Sequence, residues 1–216
     1  KSKELIQSYA TTITDFLLHS KGCKAVVIAC NTASAAAYEV LRDKYKGKVP
    51  VITVIDPMIE AVIADDNVKK VGIIATKTTI ASGVYQEKLS RRKPQLQYSA
   101  MATPLLASMI EEGFYNDNIS HAVLENYLGH EQLQGIDGLV LACTHYPLIK
   151  NEIDAYYKGK VKIFDSSEEV AKKLKWILEK EGLAASSKKA DDVFYVTDYT
   201  DSFEKTTQTF YGKQIQ

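Results

Sequence analysis

A chain of 216 residues is long enough for one large domain or two small ones with a substantial buried core. Apolar residues make up 45% of it, and 27 basic side chains balance 27 acidic ones, which argues against general affinity for nucleic acid or an anionic membrane. No apolar run approaches the roughly 18–20 residues of a membrane span, and three cysteines without framework spacing predict reduced thiols in a cytosolic protein.

Apolar runs alternate with helix-period segments along nearly the whole chain, the pattern of an α/β protein with mostly parallel sheets. Residues 5–18 read as an amphipathic helix, 25–29 as a strand and 32–45 as a helix. A strand at 49–55 runs into "DPMIEAV", which predicts Asp56 as an N-cap and Pro57 at the first helical position. The strand at 71–75 leads into a loop and helix, "TKTTIASGVYQEKL", whose continuation "RRK" reads as a solvated helix end. A strand at 96–101 precedes two helices around 104–112 and 120–130.

The strand at 138–142 is followed by a helix at 147–157, a strand at 161–164 and a helix at 167–181 opened by "DSSEE". "AASSKKADD" is a surface loop, 193–197 a last strand, and the tail from Ser202 helical. His19, His121 and His130 fall in helical or polar contexts that suit surface or capping roles. Cys23 reads as packing, and Trp176 as an anchor between helices.

Two short segments stand apart. "VVIACNTAS", Val26 to Ser34, and "LACTHYPL", Leu141 to Leu148, each close an apolar run with Ala-Cys and then small polar residues. The cysteines Cys30 and Cys143 therefore sit at the carboxyl ends of predicted strands, where ligands bind in open α/β sheets. The start of a following helix offers unpaired N–H groups and partial positive charge, which would lower a thiol pKa and hold a carboxylate.

Several chemistries compete for these residues. A buried cysteine is an ordinary small core residue. Zinc is a poor fit, because Cys143 and His145 are too close in sequence for an ordinary ligand pair and no C-x-x-C partner exists. That motif is also missing for a dithiol redox centre. A Cys–His nucleophile leaves the second strand-end cysteine unexplained. Two thiols on opposite faces of a substrate carbon, one removing a proton and the other returning it, account for both.

"VVIACNTAS" and "GLVLACTHYPLI" resemble the two signature motifs of the glutamate racemase family, whose members work without pyridoxal phosphate. "VGIIATKTTIASGVY" resembles that family's carboxylate-binding loop, "TPLLASMIEEG" its short acidic helix, and "IFDSSEEVA" and "YVTDYTDSFEKT" its C-terminal segments. The resemblance implies two similar α/β domains, 1–57 with 167–216 and 58–166, with the active site in the cleft between them. It implies Cys30 and Cys143 as acid/base thiols, Cys143 deprotonating L-glutamate and Cys30 D-glutamate.

It further implies Asn31, Thr32, Thr76, Thr79 and Thr144 as ligands for the substrate's carboxylates and amino group. His145 would orient or activate Cys143, with Glu111 as the partner of that histidine. No cofactor or metal is expected; the expected setting is the cytoplasm, as a homodimer supplying D-glutamate for peptidoglycan. Aspartate racemisation, or amino-acid binding without catalysis on the same scaffold, are the alternatives. The family's Asp-Ser pair and Pro-Tyr-Gly turn have no counterpart here, and "KSKELI" resembles the family's segment just after that turn. A strand–helix–strand unit of about 30 residues or more, carrying the partner of the first thiol, is therefore expected ahead of Lys1.

Overall fold

The computed structural model describes residues 1–187, 191–198, 207 and 211. Residues Lys1–Leu183 form one compact unit and Ala184–Gln216 a second. Within the first unit, helices and strands follow one another as α1 (Lys3–Asp15), β1 (Val26–Ile28), α2 (Asn31–Tyr45), β2 (Val51–Thr53), α3 (Ile55–Ala64), β3 (Lys70–Ala75), α4 (Lys77–Ala81), α5 (Val84–Arg92), β4 (Gln97–Ala102), α6 (Leu106–Glu111), α7 (Asn118–Leu128), β5 (Gly138–Ala142), α8 (Lys150–Tyr157), β6 (Lys162–Phe164) and α9 (Ser166–Lys180).

These strands build two parallel sheets of unequal size. β1 pairs with β2, and four strands run in the order β4-β3-β5-β6. The β3–β5 register sets Val71 against Gly138 and Ala75 against Ala142, so the carboxyl ends of the two central strands lie level.

Alternation along the central strands divides the core. Ile74, Leu139 and Leu141 face α6, α7 and α8, while Val71, Ile73, Ala75, Val140 and Ala142 face α3 and α5. These side chains are all but fully buried, and each large one contributes about 1.5–3 kcal/mol of apolar transfer energy. That two-sided burial is why the strands read as continuous apolar runs. A third cluster, Ile28, Ala37, Leu41 and Tyr45, seats α2 on the small sheet. α9 packs against α3, and its Val170 joins the core on the α3 side of the large sheet.

Four expectations need correction. α3 begins at Ile55, and Asp56 is not its N-cap. The Thr53 hydroxyl instead accepts the Asp56 N–H and donates to the Asp56 carboxylate, each at 3.3 Å, so a residue three positions earlier supplies the cap. Lys93 is buried rather than solvated, with Nζ donating to the carbonyls of Ile63 and Asp65 at 3.0 and 3.1 Å, where it closes the end of α3. Trp176 is no anchor between helices among the described residues: it is 52% exposed under the ammonium groups of Lys173 and Lys180. In the second unit, residues 191–198 form no strand, having no pairing partner among the described residues. The helix expected from Ser202 lies almost wholly outside the described residues.

Candidate active site

Each cysteine is held by a turn that its own neighbours tie down. Cys30 follows β1 and stands at the N-cap of α2, with an extended backbone (φ −79°, ψ 125°). Its carbonyl accepts the Ser34 N–H at 2.8 Å, and the buried Ser34 hydroxyl reaches back to the Ile28 carbonyl at 2.8 Å. The small polar residues after Cys30 thus lock the strand-to-helix turn. The Cys30 side chain is exposed, whereas Cys143 is buried.

Cys143 follows β5 and enters a short 3₁₀ turn, Tyr146–Ile149, that runs into α8. Its carbonyl accepts the Tyr146 N–H at 3.1 Å. The Tyr146 ring is buried, and its hydroxyl lies 2.7 Å from Thr103 Oγ1 and donates to the Thr103 carbonyl at 3.2 Å. Thr103 in turn donates its N–H to the Ala75 carbonyl at 2.9 Å. The ends of β3, β4 and β5 therefore brace the turn that carries Cys143 and His145.

The thiol of Cys143 lies 3.7 Å from His145 Nδ1, and His145 Nε2 lies 2.9 Å from Glu111 Oε1 on α6. Burial pushes the Cys143 thiol up to about 11. The backbone N–H groups of His145 and Thr144 work against that rise, and the charges of Cys30 and Glu111 add to it. The expected lowering by a helix start is thus reversed at this position. The local N–H groups exert the pull that was expected, but desolvation outweighs it.

Between the sheets the hydroxyls of Thr32, Thr76 and Thr79 form a triangle with edges of 2.9, 3.1 and 3.0 Å. Thr32 opens α2 beside Cys30, while Thr76 caps α4 by accepting the Thr79 N–H at 3.3 Å. Each hydroxyl carries one rotatable proton, so the group can donate within the triangle or outward to an anion. Asn31 is buried at the first turn of α2, and its Oδ1 accepts the Tyr85 hydroxyl at 2.7 Å. Thr144 is exposed beside Cys143. The structure thus brings Cys143, His145 and Glu111 into one chain of contacts, and Thr32, Thr76 and Thr79 into another. Sequence pattern alone does not single out Tyr85, Tyr146 or Thr103; the available signal was a tyrosine at a buried helix position, whose hydroxyl must find a partner.

Residues 3–174 match the model of the Asp/Glu/Hydantoin racemase family. The chain belongs to that family. A glutamate racemase of Aquifex aeolicus (strain VF5) is 37% identical over 217 residues, covering 100% of this chain and 80% of that protein. Among solved structures, glutamate racemase from Francisella tularensis subsp. tularensis SCHU S4 in complex with D-glutamate matches with a TM-score of 0.90 at 35% identity, over 100% of this chain and 80% of that one. The RacE1 isoform of glutamate racemase from Bacillus anthracis matches with a TM-score of 0.90 at 33% identity and the same coverage. Family membership makes this racemase an isomerase, and its α/β architecture with two parallel sheets is the racemase fold.

Proposed function

We propose that this racemase interconverts L- and D-glutamate without a cofactor, by proton transfer between two thiols. The observation that carries the reading is the placement of Cys30 and Cys143 at the ends of strands from different sheets, with Thr32 beside Cys30 hydrogen-bonded to Thr76 and Thr79 at the end of β3, the strand that pairs with β5. In the L-to-D direction the Cys143 thiolate takes the α-proton and becomes a thiol. The Cys30 thiol gives its proton to the opposite face of the carbanion and becomes a thiolate. The reverse reaction exchanges the roles, so protons and charge balance in each turnover.

Cys143 is held as a thiol in the free protein by burial, so a base must take its proton before it can attack L-glutamate. His145 Nδ1 is placed to do so, with the Glu111 carboxylate beside Nε2 to stabilise the imidazolium that forms. Asn31, Thr32, Thr76, Thr79 and Thr144 are the proposed ligands of the substrate's carboxylates and amino group. N–H and O–H donors on fixed turns would stabilise the negative charge that develops on the α-carboxylate as the proton leaves.

We assign the Thr32 side of the site to a first domain, residues 1–57 with 167–216, and the Thr76 side to a second, 58–166. The biological setting we propose is a cytoplasmic homodimer supplying D-glutamate for peptidoglycan. Among the described residues no helix is long and apolar enough to cross a membrane.

Separate Cys30→Ala and Cys143→Ala variants, assayed by chiral chromatography with each enantiomer, test the reading. Each substitution is expected to abolish racemisation. Full activity with either cysteine removed would contradict a two-thiol mechanism, and conversion of aspartate in place of glutamate would change the substrate.

A further inference from the structure

Tyr85 has no part in the chemistry described so far, yet it touches the residue next to Cys30. Its ring is only 1% exposed on α5, and it is brought there by Gly83, whose φ of +68° turns the chain between α4 and α5. Among the described residues its hydroxyl has Asn31 Oδ1 as its one partner, at 2.7 Å. A buried phenol has to donate its proton to something, and burial together with the Asp56 charge keeps that proton on Tyr85. The Asn31 oxygen is therefore the atom facing Tyr85. Its amide nitrogen, at the other corner of the same planar group, is buried and has no hydrogen-bond partner among the described residues.

We infer that Tyr85 is a positioning residue for substrate. Its hydroxyl fixes the Asn31 amide so that the NH₂ side is reserved for a carboxylate of the amino-acid substrate. This rests on the proposed role of Asn31 as a substrate ligand. An unsatisfied buried donor is a standing cost to the free protein, and a carboxylate is the strongest common acceptor able to remove it. Without the Tyr85 hydroxyl the amide can turn over and present oxygen to an anion, which repels it. The contact also links α5, packed on the large sheet, to the first turn of α2 beside Cys30.

The test is a double-mutant cycle with Tyr85→Phe and Asn31→Ala, read by calorimetric binding of D- and L-glutamate and by racemisation kinetics. Tyr85→Phe keeps the ring and is expected to weaken glutamate binding and raise KM about tenfold, with kcat changed less than twofold. In the Asn31→Ala background the same change is expected to alter binding less than twofold, because Tyr85 acts through that amide. Unchanged binding in Tyr85→Phe, or effects that multiply in the double variant, would overturn the inference.

Asn31→Asp gives a second line of evidence if Tyr85→Phe does not fold. Its carboxylate still accepts the Tyr85 bond but has no donor, so binding is expected to weaken at least tenfold; unchanged binding would mean that Asn31 offers its oxygen. If the unsubstituted protein binds glutamate without racemising it, the proposed function fails and the binding cycle alone decides the role of Tyr85. If it neither binds nor racemises glutamate, both fail.

Discussion

Glu111 Oε1 lies 2.9 Å from His145 Nε2, and the other ring nitrogen of that histidine faces the Cys143 sulfur at 3.7 Å. A carboxylate at Nε2 favours the tautomer with its proton there, which leaves Nδ1 able to accept from the thiol. His145→Asn is therefore expected to lower kcat by about 10²-fold or more, within the range for a lost general base. Glu111→Gln should cause a smaller fall, because histidine remains while its charge partner is gone. Steady-state kinetics in both directions checks this, and an unaltered kcat in His145→Asn would remove the histidine from the proton path.

The alkylation of Cys143 carries a pH signature. Its thiol sits near 11 against an ordinary value of 9.0, with burial as the largest cause, so the thiolate becomes more abundant up to that higher pH. Iodoacetamide labelling at Cys143, read by peptide mass spectrometry, should rise about tenfold per pH unit through neutrality and level off near 11. The unfolded chain would release this proton near 9 while the folded one keeps it until about 11, so this group lowers stability as pH rises between those values. A labelling plateau below pH 9 would show that burial does not govern the thiol.

The hydroxyl triangle gives a graded prediction. Thr32→Val removes the member next to Cys30 while keeping its shape, and Thr32→Ser keeps the hydroxyl. A hydrogen bond to a charged group is worth about 1.5–3 kcal/mol, so Thr32→Val should raise the KM for glutamate roughly 10- to 150-fold. Thr32→Ser should stay within a few-fold of the parent. Equal KM values for the two variants would exclude this hydroxyl as a carboxylate ligand.

Glu152 is a test of structure rather than chemistry. Its carboxylate, 8% exposed on α8, accepts the Asn116 N–H at 2.8 Å and the Ser120 hydroxyl at 2.9 Å. It thereby ties the segment between α6 and α7 to the helix beyond the His145 turn. Glu152→Ala takes the acceptor from the Asn116 N–H, while the Ser120 hydroxyl keeps the Asp117 carbonyl at 3.0 Å, and should cost about 1 kcal/mol in urea denaturation. A midpoint unchanged from the parent would mean that water and the Asp117 carbonyl replace the carboxylate at no cost.

Both strand-end cysteines were legible because apolar strands buried on two faces leave an unmistakable run before the polar turn. Other features depended on partners that local pattern cannot supply. The Asp56 cap needed the hydroxyl of Thr53, and Lys93 found carbonyls on α3 about thirty positions away. Trp176 read as an anchor between helices, yet its helix turns it outward between two lysines. The direction of the Cys143 shift was a contest between backbone N–H groups, visible in sequence, and desolvation, which only packing reveals.

The most direct test tracks the α-proton of glutamate by ¹H NMR in D₂O, starting separately from each enantiomer, with aspartate as control. The account predicts that the α-signal of glutamate disappears as the opposite enantiomer accumulates, in both directions, while aspartate is untouched. It also predicts that Cys30→Ser and Cys143→Ser each stop interconversion. Racemisation that continues at the parent rate with either thiol replaced would contradict the two-thiol claim.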